Sequence, residues 1–445
     1  MSGYRGAALR LIKRASADVG DLIFIETGGQ RYEGVLMPRS GLAESEHIVI
    51  KLRNGYNIGV RADKRTKMGV IEKGKPPSLT MPVLHGIEKK GNPVTIIGTG
   101  GTIASRVDYR TGAVYPAFTP QEIYTAVPEL ADIAEIRALE VCNVFSEHMT
   151  PDLWVKIGRA VAREIRRGAS GVVVAHGTDT MGYTAAALSF MLGNLYRPVV
   201  MVGSQRSSDR PSSDASLNLI SAVNVAANSD IAEVTVVMHG SMDDDRCLIH
   251  RGTKVRKCHT SRRDAFLSVN DLPLGSVSAG KIEMMRDDYN HASKSGNIRF
   301  MGKFEKRVVL LKATPGFPSD LMERMIKAGC RGFVIEGTGL GHVPESMFRG
   351  IRRAAASGVP VVMTSQCLWG RVNMKVYSTG RDLLDMGVIP GDDMLPETAW
   401  VKLMWVLGQT RKISRIIEMM QKNIAGEKTQ RSVPESYEPR LLEGS

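Results

Sequence analysis

The chain has 445 residues, 43% of them hydrophobic and 24% charged, and a formal net charge of +13. This length calls for two or three domains, and the composition suits a globular protein with sizeable cores. No run approaches the roughly 18 consecutive apolar residues of a membrane span, and the basic N-terminus lacks the apolar segment and cleavage site of a secretory signal.

The first 90 residues carry much of the charge, with 16 Lys and Arg against 9 Asp and Glu. Such a surplus solubilises a surface or attracts a polyanion such as RNA. Residues 17–72 read as all-β. Two β-rich segments flank Gly28-Gly29, and two more flank Asn54-Gly55, a strong hairpin signal. Four or five short strands predict a small barrel, followed by a linker over 74–82.

From Val94 the texture changes. Apolar runs such as 170–177, 198–204 and 233–240 alternate with helical patterns such as 153–168 and 215–228. Strands buried on both faces and alternating with helices predict a parallel sheet covered on each side. Residues 245–269 lose the helical period and suit a hairpin or an extended loop, and 284–299 reads as a connector. A second βα set spans 307–367, and a helical segment runs from Glu397 to about Asn423. The expected domains are 1–82, 83–290 and 291–425, with a polar tail over 426–445.

Two glycine-rich turns carry threonines after apolar runs: GTGGTIAS at 98–105 and HGTDTM at 176–181. In an α/β sheet this places Thr102 and Thr178 at the carboxyl ends of strands, where such folds bind ligands. The first turn has no lysine for a phosphate-binding loop, and Ile103 breaks a dinucleotide fingerprint. Thr178 or Asp179 could instead serve only as a helix N-cap. A threonine hydroxyl is a poor nucleophile until a base removes its proton. Lys254 and Lys257 are candidates for that base, and position alone does not choose between them. Cys247, His250, Cys258 and His259 could be taken for metal ligands, but their spacing departs from zinc patterns, so no metal is expected. The five cysteines are odd in number and scattered, as in a reducing compartment such as the cytoplasm.

The two turns resemble the paired signature motifs of the type I/II L-asparaginases, and the resemblance runs from about Val94 to Gln409. It implies an α/β fold of two asparaginase-like domains, the larger one N-terminal, with the site between them; the small all-β barrel expected in front departs from plain asparaginases, which begin near their first motif. It implies that Thr102 is the nucleophile and that Thr178, Asp179 and a lysine form an activating triad. The segment 255–260 matches the family's Arg-Lys-His-Thr with one residue inserted, which selects Lys257. Ser146 and Glu147 stand where the family binds the substrate's carboxylate and amine. Tyr115 falls near the family's mobile-loop tyrosine, with Tyr109 as competitor. One departure is the stretch 366–380, which has no acidic residue where many asparaginases receive a neighbouring protomer's glutamate.

An asparaginase-like region behind a small barrel resembles the D-subunit family of archaeal glutamyl-tRNA(Gln) amidotransferases. That implies release of ammonia from glutamine or asparagine, with no cofactor in this chain. It implies a partner, the amidotransferase E subunit, that uses ATP and Mg²⁺ to amidate glutamate on tRNA(Gln), and a homodimer within a heterotetramer. The alternatives are a free-standing cytoplasmic L-asparaginase and a non-catalytic RNA-binding protein.

Overall fold

A computed structural model describes residues 4–37, 46–52, 57–63, 65–74, 91–100, 105–108, 113–116, 123–124, 127–206 and 213–432. The N-terminal unit has one helix, α1 (Gly6–Arg14), and five strands: β1 (Leu22–Thr27), β2 (Gln30–Leu36), β3 (His47–Lys51), β4 (Asn57–Arg61) and β5 (Lys67–Glu72). The strands form an antiparallel sheet of order β4-β3-β2-β1-β5. Among the described residues no ladder joins β4 to β5. The helix, which the sequence pattern does not announce, packs on this sheet instead. Its Ala8 and Ile12 are buried one turn apart, and the Tyr4 hydroxyl donates to the Met37 carbonyl at 2.6 Å. The helix is short and heavily basic, so its apolar stripe is only two or three residues wide. The sheet ends where Gly74 donates its N–H to Asp21. Asn54-Gly55, the expected hairpin turn, lies outside the described residues, as does most of the expected linker.

The larger α/β unit is built on an eight-stranded sheet. Its parallel half comprises β6 (Asn92–Gly98), β9 (Ala134–Glu140), β10 (Gly171–Ala175), β12 (Val199–Val202) and β13 (Val234–His239). The antiparallel half adds β14 (Arg246–Arg251), β17 (Gly275–Ser278) and β18 (Lys281–Met284). The strand order is β18-β17-β14-β13-β12-β10-β6-β9. Three short ribbons stand outside it: β7 (Ser105–Asp108) with β8 (Ala113–Pro116), β11 (Leu192–Gly193) with β19 (Arg299–Phe300), and β15 (Val255–Lys257) with β16 (Phe266–Ser268). Every residue of β10 and β13 is buried. Alternate side chains of β10 enter two different cores, Val172 and Val174 one, Val173 the other. Helices α2 (Pro151–Arg166), α3 (Met181–Met191) and α4 (Ala215–Asn228) supply the cover.

The smaller unit is a parallel sheet of four strands, β20 (Val308–Lys312), β21 (Gly332–Gly337), β22 (Val361–Ser365) and β23 (Ile389–Pro390), paired in that order. Around it run α5 (Leu321–Lys327), α6 (Phe348–Ala356), α7 (Ser378–Asp385), α8 (Pro396–Gln409) and α9 (Ile413–Gln421). The single helix expected from Glu397 onward is two helices. The Thr410 hydroxyl accepts the Lys412 N–H and supports a turn between them. Helix α8 is buried along most of its length because it packs on both units. Phe190 of α3 stacks on its Trp405, and Trp154 of α2 meets its Trp400 edge-on.

The chain after α9 differs from the expected polar tail as far as it is described. Glu427 is fully buried and paired with the equally buried Lys402 of α8. It also accepts the backbone N–H groups of Ile424 and Ala425. Thr429 is bonded to the buried Asp393. Burial of a charged pair needs partners for every lone pair, and here backbone amides supply them.

The N-terminal unit buries its own cluster, with Ile23, Ile25, Leu36, Ile48 and Ile50 at its centre. Deleting residues 1–82 is therefore expected to leave a cooperatively melting α/β protein with native far-UV dichroism. A truncated chain without a cooperative transition would show that the unit is needed to fold the rest.

Candidate active site

Strand order sets the position of the site. From β6 the chain moves outward to β9, then returns to the other side of β6 for β10, β12 and β13. The carboxyl ends of β6 and β10 therefore flank a topological switch point, the place where open α/β sheets leave a crevice. Gly98 and Ala175 end these strands in register. The Thr99 backbone N–H and hydroxyl both donate to the Ala175 carbonyl, tying the two turns together. Gly100 follows at φ +105°, and a Cβ there would lie 2.3 Å from the Val144 carbonyl oxygen. Only glycine fits that conformation and that approach. Thr102, two residues later, lies outside the described residues, and so does Tyr109. Tyr115 stands on β8 opposite Arg106.

The second turn is described throughout. Lys257, the last residue of β15, donates from Nζ to Thr178 Oγ1 at 2.9 Å and to Asp179 Oδ1 at 2.7 Å. Its side chain is 13% exposed, whereas that of Asp179 is 67% exposed. Neither Thr178 nor Asp179 is spent on capping. The residue before α3 is Thr180, and its hydroxyl reaches instead to the Ser146 carbonyl at 2.6 Å. Ser146 is buried in a short 3₁₀ turn, Ser146–His148, and Glu147 beside it is exposed. A Cβ on Gly177 would come 2.8 Å from Ser146 Cβ, so this glycine lets the two segments touch.

Beneath the turn lies a neutral hydrogen-bond chain that sequence reasoning missed. The Trp154 indole N–H donates to Thr184 Oγ1 at 3.0 Å, and that hydroxyl meets His176 Nε2 at 2.9 Å. The other ring nitrogen donates to the Gly177 carbonyl at 2.6 Å. With Nδ1 as donor, Nε2 is the acceptor, so Thr184 donates to a neutral ring. Burial holds the His176 pKa down to about 4 from its ordinary 6.5. The signal available in the sequence was a histidine directly ahead of the motif's glycine.

The other lysine is elsewhere. Lys254 is fully buried and bonded to the fully buried Asp393 at 2.7 Å. Asp393 also accepts from Thr429. Lys254 therefore joins the larger unit to the smaller one. The cysteine–histidine set does not converge either. Cys247 points toward Asn218 Oδ1, and His250 bonds Ser268 Oγ. Among the described residues no three His, Cys, Asp or Glu side chains gather to hold a metal.

Beside Lys257 a cavity of about 180 Å³ is lined by Asp179, Tyr183, Arg256 and Glu397, among others. Glu397 comes from the first turn of α8, so the smaller unit closes one side of the site. It pairs with Arg256 at 3.4 Å, and burial pushes its carboxyl above the usual range despite that arginine.

Two outcomes follow from this geometry. Lys257→Met is expected to lower amide turnover by about 10²-fold or more with little change in stability, because Asp179 stays solvated. Lys254→Met should instead destabilise the fold by about 2 kcal/mol or more, since the buried Asp393 carboxylate loses its close ionic partner and keeps only Thr429 and, at 3.7 Å, Arg371. Turnover per folded molecule and urea midpoints for both variants separate the roles. Equal turnover losses at equal stability would refute the assignment. The second outcome concerns pH. A ring whose folded pKa is depressed gives stability that is complete above about 6.5 and lost as pH falls toward about 4. The loss is up to about 3 kcal/mol. Urea unfolding at neutral and acid pH should show a steeper decline for the native protein than for His176→Gln; matching slopes would contradict it.

The chain matches three family profiles: "Asparaginase, N-terminal" over residues 93–290, "Glutaminase/Asparaginase C-terminal domain" over 307–420, and "GatD N-terminal domain" over 17–71. It is 54% identical over 432 residues to the glutamyl-tRNA(Gln) amidotransferase D subunit of Pyrococcus furiosus, covering 96% of this chain and 98% of that one. It is 53% identical over 431 residues to the D subunit of Methanothermobacter thermautotrophicus, again covering 96% and 98%. Among solved structures, the thermostable L-asparaginase of Thermococcus kodakarensis superposes with a TM-score of 0.69 at 34% identity, covering 76% of this chain and all of that one. L-asparaginase I of Vibrio cholerae gives 0.67 at 30% identity, also over 76% of this chain and all of its own. The two asparaginase domains account for the α/β units and the third profile for the N-terminal sheet; the chain belongs to the family of glutamyl-tRNA(Gln) amidotransferase D subunits.

Proposed function

We propose that this chain hydrolyses the side-chain amide of glutamine or asparagine and supplies the ammonia for amidation of glutamate charged on tRNA(Gln). The observation that carries the reading is the single lysine Nζ within hydrogen-bond reach of both Thr178 Oγ1 and Asp179 Oδ1, at the switch point of the larger sheet. A neutral lysine there can take the threonine proton, and the adjacent carboxylate stabilises the ammonium that results. A threonine hydroxyl attacks the amide carbonyl, the C–N bond breaks, and the amine leaves as ammonia after taking a proton. Water then cleaves the threonine ester to give the free acid and restore the hydroxyl. Thr102 is the nucleophile matched to the family, and Thr178 is the hydroxyl the lysine contacts. Ser146 and Glu147 adjoin Thr178 through Gly177 and Thr180, and they are assigned to the substrate's carboxylate and amine. Tyr115 is assigned to the lid over them.

The ammonia is used by the amidotransferase E subunit, which consumes ATP with Mg²⁺ to activate the glutamate carboxylate. Leu368, Val376 and Tyr377, all within the 366–380 stretch, are exposed large hydrophobic side chains. They support pairing of two copies of this chain within a heterotetramer, in a cytoplasmic setting. The stand-alone asparaginase reading is weaker, because that stretch has no carboxylate for a neighbour's site and the N-terminal unit has no use in it.

The test is ammonia release from glutamine by the purified chain, alone and with the E subunit and charged tRNA(Gln). Low basal release that rises with both additions is expected, and Thr102→Ala or Thr178→Ala should each abolish most of it with native dichroism. Full release by the chain alone, unchanged by partner and tRNA, would favour the free-standing enzyme. Release that survives either threonine variant would remove that residue from the chemistry.

A further inference from the structure

The exposed side of α2 carries one acid, Asp152, and four cations, Lys156, Arg159, Arg163 and Arg166, with Arg167 just beyond its end; Arg163 and Arg167 both pair with the buried Glu164. Positions 156, 159, 163 and 166 repeat at helical spacing, so they form one stripe about 15 Å long. Against the first half of this stripe lies a groove of about 620 Å³ between the two α/β units. One wall is α2, the floor is the connector 302–306, and the other wall is the end of α8 with Arg411. The groove's acids are already taken. Asp152 pairs with Lys306 at 2.6 Å, and Glu305 pairs with Arg307 and Arg411 at 3.0 and 2.7 Å. Arg159 and Lys303 are exposed, and no carboxylate among the described residues pairs with either.

We infer that this groove and stripe bind the phosphate backbone of a folded RNA. Protein partners are held by buried aromatic and aliphatic anchors, and lysine is depleted where they dock. None of the large exposed hydrophobic side chains lines this groove. Its aromatic lining residue, Phe304, stands edge-on to Trp154 and offers no platform for an unstacked base. Cations in a line, of which Lys156, Arg159 and Lys303 have no carboxylate partner among the described residues, without apolar anchors or stacking surfaces, suit spaced phosphates rather than base edges. The assignment to RNA rests on the proposed function, which places a charged tRNA in the reaction. It moves the principal RNA contact from the basic N-terminal unit to α2.

The test uses the full-length chain and an unacylated tRNA(Gln) transcript, with binding read by fluorescence anisotropy at low and moderate salt. The variant is Arg159→Glu with Lys303→Glu. The control is Arg352→Glu with Arg353→Glu on α6, another exposed basic pair. The first should bind at least about tenfold more weakly, with a shallower salt dependence by about two phosphate contacts, and the control should bind like the native chain. Basal ammonia release should be the same in all three. If release is absent but binding behaves as stated, the proposed chemistry fails and the RNA face stands. The inference is overturned if the native chain does not bind the transcript, or if the groove variant binds it normally. Normal RNA binding together with loss of the E subunit would assign the groove to an acidic protein surface.

Discussion

The geometry of this site turns on one contact, the Lys257 side chain held between Thr178 and Asp179. That contact cannot hold itself in place. Asp179 is two-thirds exposed, and an ion pair with one solvated partner contributes about 0–1 kcal/mol. The position must come from what lies beneath each partner. On the Thr178 side it is the buried chain Trp154–Thr184–His176–Gly177, whose donors and acceptors are all matched along its length. On the Lys257 side it is the β15–β16 ribbon, pinned at its start by the buried Lys254–Asp393 pair. The exposed pair has the freedom to exchange protons and meet substrate because the buried groups fix the geometry.

The two α/β units are less separate than a two-domain description implies. Helix α8 belongs to the smaller sheet, yet its tryptophans pack on α2 and α3 of the larger unit. Its first turn brings Glu397 to Arg256, the residue before Lys257. Its middle carries Lys402, which fastens the last described segment through Glu427. The site is therefore a seam in a continuous core, and small domain movements would move Arg256 and Lys257 together.

Much of this arrangement was legible in the sequence. The glycine-rich turns announced strand ends, because Gly100 and Gly177 are needed where backbone crowds backbone. The alternation of apolar runs announced a sheet covered on both faces. The two lysines could not be told apart by position: Lys254 lies just before β15 and Lys257 ends it, and only the fold shows that one is buried against Asp393 and the other reaches Thr178 and Asp179. What stayed hidden depends on contacts distant in sequence. Asp393 and Glu427 look like surface acids until the fold buries them against lysines. Helix α1 gave no clear sign in the sequence because its apolar stripe is too narrow to stand out among its basic residues. His176 gained its role from Thr184 and Trp154, which lie on two other helices. Thr102 and the side chain of Tyr115 remain readings of the motif alone.

Charge is divided across the molecule in a way that separates two tasks. At the seam beside Lys257, burial governs ionisation: Glu397 is pushed toward its neutral form and His176 is kept neutral. Such groups respond to pH. Along α2 and the connector the opposite holds. Arg307, aided by Arg411, holds the Glu305 carboxyl down to about 2, against a strong cost of burial. The acid that could offset the positive surface is thus locked in ionic pairs, and the surplus arginines do not titrate near neutrality. That surface keeps its sign wherever the protein is folded and weakens only as salt screens it. The length of α8, about 20 Å, lies between the two regions. A polyanion can therefore be held at one end without its charge entering the cavity beside Lys257.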